Sequence, residues 1–326
     1  MTFGPRDLVV VGASAGGVEA LRAMAARLPA DLPAAVLVVL HMPAGGTSAL
    51  PAILGRAGPL PARAARNGER LEHGCVYVAR PDHHLLVSDG AVALSHGPTE
   101  NGHRPAINAL FRSAAVARGA AVTGVLLSGV LDDGVAGLQA IAGRGGRVVV
   151  QDPQDALYRG MPEHALRVLT PDHVVAAAGI GEVLAKVTLE QVAVDAGPAP
   201  ESLRWENEIA GAGRIEEGVS AVGQPSEFAC PDCHGVLTDI DQGVRYRCRV
   251  GHAWTAEALV AAQGDMVEHA LWTGVRALEE KASLCRRLAA LARERRSDLI
   301  AERYEAQARK TLEAAEVLRR QVIDRG

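Results

Sequence analysis

Gly12-Ala13-Ser14-Ala15-Gly16 directly follows the apolar run Leu8-Val9-Val10-Val11, and a helical pattern begins just beyond it. Three chemistries fit such a strand-to-helix join. The Gly-x-Ser-x-Gly spacing matches a nucleophile elbow, in which small flanking residues let a tight turn hold a serine hydroxyl out. The helix start would add free N–H groups for a developing oxyanion. A dinucleotide turn instead wants glycine where Ser14 stands, because the backbone must approach a pyrophosphate. The third reading is a plain turn with Ser14 as helix N-cap. The motif alone leaves all three open.

Cys230, Cys233, Cys248 and His252 form a second chemically suggestive group. Cys-x2-Cys and Cys-x3-His pairs flank a hairpin-length insert, with Gly235 and Gly243 for turns, which suits tetrahedral zinc. A metal would replace the core that so short a segment cannot build. Four protein ligands leave no open position, so the expected ion is structural, with His234 as a substitute ligand. Three of the five cysteines cluster here, which in a cytosolic chain favours metal over disulfides.

The elements that must position Ser14 alternate. Strands are expected at Leu8–Val11, Val36–Leu40, Val122–Leu127, Val148–Gln151 and Val174–Ala177. Helices are expected at Val18–Leu28, Ser48–Gly55, Asn108–Ala117, Val135–Ala142 and Met161–Leu169. Cys75–Ala79, Leu85–Ser88 and Val92–Ser95 read as a β-hairpin excursion. Continuous apolar strands alternating with helices predict an α/β fold with a doubly wound, mainly parallel, Rossmann-like sheet. Sites in such sheets gather outside the carboxyl ends of the strands. Ser14, His41 and Asp133 each follow such an end, so a nucleophile, a base and an orienting carboxylate could share one rim. The alternative is a rim histidine with Asp133, or Asp132, capping the helix that opens at Gly134. His83 and His84 read as surface or substrate-loop residues, and Met161 as packing.

The 326 residues are 48% hydrophobic, 22% charged and 3% aromatic, with a net charge of -4. That balance gives no electrostatic case for nucleic acid or an anionic membrane. No apolar run is long enough to span a bilayer, so no membrane insertion is expected. No secretory signal is evident either, so the expected location is cytoplasmic. The pattern divides the chain into 1–190, a linker at 191–227 with a short helix near Leu203–Ile209, a ribbon at 228–254 and a helical arm at 255–326. In that arm, stripes through Val267, Val275, Ala282 and Cys285, and through Ile300, Ala308, Ala315 and Val322, predict a helical hairpin broken near Ser297. The two helices would pack on each other or form a homodimer; the alternative is that they contact receptor helices or a partner regulator.

Five stretches, in order, carry a resemblance across about residues 6–190. They are Val10–Gly17, His41-Met42-Pro43, His103-Arg104-Pro105 leading to Leu110-Phe111, Leu127-Ser128-Gly129 through Asp132-Asp133-Gly134, and Gly160-Met161-Pro162. Together they resemble the catalytic domain of CheB chemotaxis protein-glutamate methylesterases. The resemblance implies hydrolysis of glutamate methyl esters on chemoreceptor helices, and deamidation of selected glutamines, without a catalytic cofactor. It implies Ser14 as nucleophile, His41 as general base and acid, Asp133 as the orienting carboxylate, and backbone N–H groups at Ala15 and Val130 for the oxyanion. Ala15 stands where family members usually carry Thr, and Gly129-Val130-Leu131 where they carry Gly-Met-Gly. The Ser14 strand starts at residue 8, which leaves no room before it for the family's receiver domain. Activity would then be constitutive or controlled by a regulator in trans. The ribbon also resembles C-terminal extensions of receiver-less members. A catalytically silent scaffold, or a hydrolase of another ester or amide, are the alternative functions.

Overall fold

The computed structural model describes residues 3–193, 197–212 and 223–324. Phe3–Pro5 (β1) leads to Leu8–Ala13 (β2), every residue of which is buried. Gly17–Ala25 (α1), Ala35–Leu40 (β3), Leu50–Ala57 (α2), Ala62–Ala64 (β4) and Val76–Val78 (β5) follow. His84–Ser88 (β6) and Ala91–Ser95 (β7) form a hairpin. Then come Ile107–Arg118 (α3), Val122–Leu126 (β8), Val135–Gly143 (α4), Arg147–Gln151 (β9), Gly160–Val168 (α5), His173–Val175 (β10), Ala177–Val187 (α6) and Gln191–Ala193 (β11).

Seven strands make one parallel sheet in the order β10-β9-β8-β2-β3-β5-β4. The chain winds outward from β2 through β3, then returns to build the other half from β8. The switch point lies between β2 and β8, where the rim opens for a ligand. The pleat sorts side chains to two cores. Val9, Val11 and Ala13 pack with Leu21, Met24, Leu54 and Leu184 of α1, α2 and α6. Leu8 and Val10 pack with Ile107, Leu110 and Phe111 of α3 and with Leu138 and Ile141 of α4.

Two expectations about these elements are corrected. The 75–79 stretch is not part of a hairpin excursion: Val76–Val78 pairs parallel with β3 inside the main sheet, and only β6 and β7 form the hairpin. A three-residue strand has too little pattern to reveal its partner. The edge strand β4 and the antiparallel pair β1–β11 have no comparable signal in the sequence. The second helix starts at Leu50, whose N–H donates to Ser48 Oγ at 3.3 Å, so Ser48 precedes the helix.

Beyond residue 193, Glu201–Ala212 (α7) covers the expected short helix. The linker signals at Ala196 and Gly213 lie outside the described residues. Gln224–Ala229 (β12), Val236–Asp239 (β13), Arg245–Cys248 (β14) and Ala253–Thr255 (β15) form an antiparallel sheet. The chain divides into two compact units, Met1–Ala258 and Leu259–Gly326. The four-stranded antiparallel sheet falls in the same unit as the parallel sheet. Ala256–Glu294 (α8) and Asp298–Ile323 (α9) break at Ser297. Within the second unit, Val275, Ala282, Cys285, Ala308 and Ala315 are buried, and Arg293 pairs with Glu305 at 2.6 Å. Among the described residues no helix is long and apolar enough to cross a membrane.

Candidate active site

Ser14 stands one residue past β2. Its N–H donates to the Ser128 carbonyl at 2.9 Å, which ties it to the end of β8, and the Gly17 N–H closes the turn on the Ser14 carbonyl at 2.9 Å. Gly16 takes φ 71° and is itself the N-cap of α1, which has no side-chain cap, so Ser14 does not cap the helix. The motif's two glycines serve different ends. Gly16 permits the left-handed turn. Gly12 lets α3 approach, because a Cβ there would lie 2.2 Å from Ile107 Cγ2.

His41 follows β3, and its N–H donates to the Ala13 carbonyl at 3.1 Å. Its Nδ1 lies 3.1 Å from Ser14 Oγ, and its Nε2 lies 2.7 Å from Asp133 Oδ2. An ionised Asp133 can only accept, so Nε2 carries the proton and the Nδ1 lone pair faces the serine hydroxyl. The His103 ring stacks on His41 with centroids 3.7 Å apart and planes 19° from parallel. Burial and the neighbouring His41 push His103 down to about 4, so it stays neutral where a histidine base works.

Asp133 is buried at 2% exposure. Its carboxylate accepts the N–H groups of Ile107 at 2.7 Å and Asn108 at 3.2 Å. It therefore caps α3, not the helix that opens at Gly134. Burial pushes its carboxyl up, but the His41 hydrogen bond, the nearby histidines and the Ile107 N–H outweigh that and hold it below the usual carboxylate range. The positive end of α3 acts in the same direction. Asn108 Oδ1 supplies the cap of α4 instead, accepting Gly134 N–H at 3.1 Å and Gly137 N–H at 2.8 Å.

On the other side of Ser14, Ser128 Oγ donates to the Ala15 carbonyl at 2.8 Å and accepts the Tyr158 N–H at 2.9 Å. A Cβ at Gly129 would come within 3.0 Å of Ser14 Cβ, so the 128–131 loop lies against the serine. The Gly129 N–H is taken by the Tyr158 carbonyl. Among the described residues the N–H groups of Ala15 and Val130 have no internal acceptor. A cleft of about 510 Å³ opens beside His41, lined by Met42, Asp82, Thr99, His103 and Arg104. Arg104 is engaged by Asp82 at 2.6 Å and by the Gly97 carbonyl at 2.9 Å. His84, read from sequence as a surface or substrate-loop residue, is fully buried and bridges the Pro98 carbonyl and the Ala106 N–H.

Cys230, Cys233, Cys248 and His252 offer ligand atoms that all lie within 4.8 Å of one another. Cys230 Sγ to His252 Nδ1 is 3.7 Å, Cys233 Sγ to Cys248 Sγ is 3.6 Å, and Cys248 Sγ to His252 Nδ1 is 3.5 Å. Tetrahedral zinc, with bonds of about 2.3 Å to sulfur and 2.0–2.1 Å to nitrogen, sets its ligands roughly 3.5–3.8 Å apart. The donor set and spacing fit that ion, and His234 is not in the group.

The family model described as CheB methylesterase matches residues 9–184. The chain belongs to the CheB methylesterase family. Protein-glutamate methylesterase/protein-glutamine glutaminase 3 of Anaeromyxobacter dehalogenans (strain 2CP-C) is 47% identical over 184 residues, covering 56% of this chain and 54% of that protein. The counterpart numbered 2 of Methanosarcina acetivorans is 36% identical over 191 residues, covering 56% and 54%. The crystal structure of the Thermotoga maritima CheB methylesterase catalytic domain aligns with TM-score 0.53 and 32% identity, covering 55% of this chain and 97% of that one. The chain spans about half the length of the curated relatives it matches. The CheB methylesterase match includes Ser14, His41 and Asp133, and it ends before the ribbon. The contacts of Asn108, Ser128 and the His103 ring are not announced by the sequence. His103 and Ser128 lie inside quoted motifs, and Asn108 stands at a helix start, where Asn is a capping residue.

Proposed function

We propose that this chain is a protein-glutamate methylesterase of the acyl-enzyme type. The observation that carries the reading is the hydrogen-bonded series from Ser14 through His41 to Asp133. Ser14 Oγ attacks the ester carbonyl of a glutamate γ-methyl ester while His41 Nδ1 takes its proton. Asp133 holds the Nε2–H tautomer and stabilises the imidazolium that forms. The free N–H groups of Ala15 and Val130 receive the oxyanion. His41 returns the proton to the departing methoxide, methanol leaves, and a water activated by His41 hydrolyses the acyl-enzyme. With ammonia as leaving group, the same series deamidates glutamine.

The substrate is a methylated receptor helix offered to the cleft beside His41, and the site of action is cytoplasmic. Zinc held by Cys230, Cys233, Cys248 and His252 supplies structure, and the acyl transfer needs no cofactor. Labelling by a fluorophosphonate probe, located by peptide mass spectrometry, tests the nucleophile. Modification of Ser14, lost in His41→Ala, is expected. A wild-type chain that leaves Ser14 unlabelled would instead be a silent scaffold.

A further inference from the structure

Ala253 and Thr255, which follow the metal-ligand candidate His252, are hydrogen-bonded to the segment leading into His103. Ala253 N–H donates to the Thr99 carbonyl at 3.1 Å, and the Ala253 carbonyl accepts Asn101 N–H at 2.8 Å. Thr255 N–H donates to Asn101 Oδ1 at 2.8 Å. Trp254 lies over Gly102, where a Cβ would meet its ring at 3.4 Å. Thr255 Oγ1 also donates to Asp132 Oδ1 at 2.7 Å, next to Asp133.

A second anchor runs through buried charge. Arg247, the residue before ligand candidate Cys248, is 0% exposed and pairs with Glu100 at 3.0 Å and Glu206 of α7 at 3.1 Å. Glu100 pairs in turn with Arg112 of α3. Glu100 and His103 close a turn by exchanging backbone hydrogen bonds of 3.2 and 2.9 Å. The His103 ring then rests on His41. A continuous bonded path thus joins the Cys3His group to the imidazole and to the Asp132-Asp133 loop.

We propose that the ribbon is a metal-dependent strap on the active site: zinc fixes β14 and β15, which hold residues 99–103 and Asp132 so that His103 and the 132–133 loop keep His41 and Asp133 aligned on Ser14. Without metal, so short a segment has no core to keep its strands together. The strap rests on the reading of Ser14 as nucleophile, and on the Cys3His group holding zinc. Asn101 and Thr255 are positioning residues; neither contacts the triad side chains.

The test uses the full chain, with and without zinc removal by a chelator, and follows Ser14 labelling and hydrogen exchange of residues 99–104. Removal is expected to slow labelling roughly tenfold, the scale of a small misplacement of reacting groups, and to speed exchange in 99–104. Added Zn²⁺ restores both. Thr255→Val should keep one zinc per chain yet reproduce the slower labelling, with kcat lowered and KM unchanged, and Thr255→Ser should recover the wild-type rate. Unchanged labelling and exchange after zinc loss, or a wild-type rate in Thr255→Val, overturns the strap. Should the stripped chain unfold altogether, the Thr255 pair decides the matter. A wild-type chain that does not label Ser14 refutes the nucleophile instead, and exchange in Thr255→Val still judges the strap.

Discussion

Asp133 and Asn108 cap each other's helices. The Asp133 carboxylate accepts the first N–H groups of α3, and the Asn108 side chain accepts those at the start of α4. The exchange locks the loop that carries the Asp133 carboxylate to the helix beneath it, with both side chains buried.

Asn108→Ala leaves two buried N–H groups without an acceptor. Loss of a cap costs about 1–2 kcal/mol, and unsatisfied donors add to it. Urea unfolding should show a loss on the order of 2 kcal/mol, together with slower Ser14 labelling. A loss below about 0.5 kcal/mol would show that the cap carries nothing.

Gly12→Ala places a methyl group 2.2 Å from Ile107 Cγ2. Overpacking of this kind costs typically about 1–3 kcal/mol, and here it presses on the residue whose N–H holds Asp133. The expected result is a lower urea midpoint and reduced labelling, both partly recovered in Gly12→Ala/Ile107→Ala. Wild-type stability in the single variant would contradict the close approach.

His103 makes stability fall as the solution is acidified. Its folded value of about 4 lies below the ordinary 6.5. The unfolded chain therefore binds a proton that the folded chain refuses as pH falls between those values. Its contribution is complete above 6.5 and is lost as pH falls through 4, on the order of 3 kcal/mol in all. Asp133, held low, adds a loss only below the ordinary carboxylate range. Between pH 7 and 4.5 the wild type should lose stability relative to His103→Phe, which keeps the stacked ring. Parallel curves would remove His103 as the source.

The juxtaposition of Ser14, His41 and Asp133 is foreseeable from the sequence because each follows a continuous apolar strand of a parallel sheet, whose carboxyl ends share one rim. The Cys3His group was legible because its spacing is local. The sequence does not show that Asp133 caps α3, since that pairing joins residues 26 apart through a tertiary contact. The join of Thr255 to Asn101 spans 154 positions, and no local pattern announces it. Three apolar residues beside a true hairpin carry too little periodicity for the sequence to show that Val76–Val78 pairs in the main sheet. The turn sequence before His84 suggests a surface or substrate-loop residue, whereas its ring is enclosed by the 98–106 segment.

The central claim is that Ser14 turns over glutamate methyl esters. Methanol released from a methylated receptor fragment, measured for the full chain and for Ser14→Ala, tests it most directly. Sustained release by the wild-type chain is expected, with a fall of at least roughly four orders of magnitude in the variant and the fold retained by circular dichroism. Undiminished release by Ser14→Ala, or no release by a wild-type chain whose Ser14 labels normally, would contradict it.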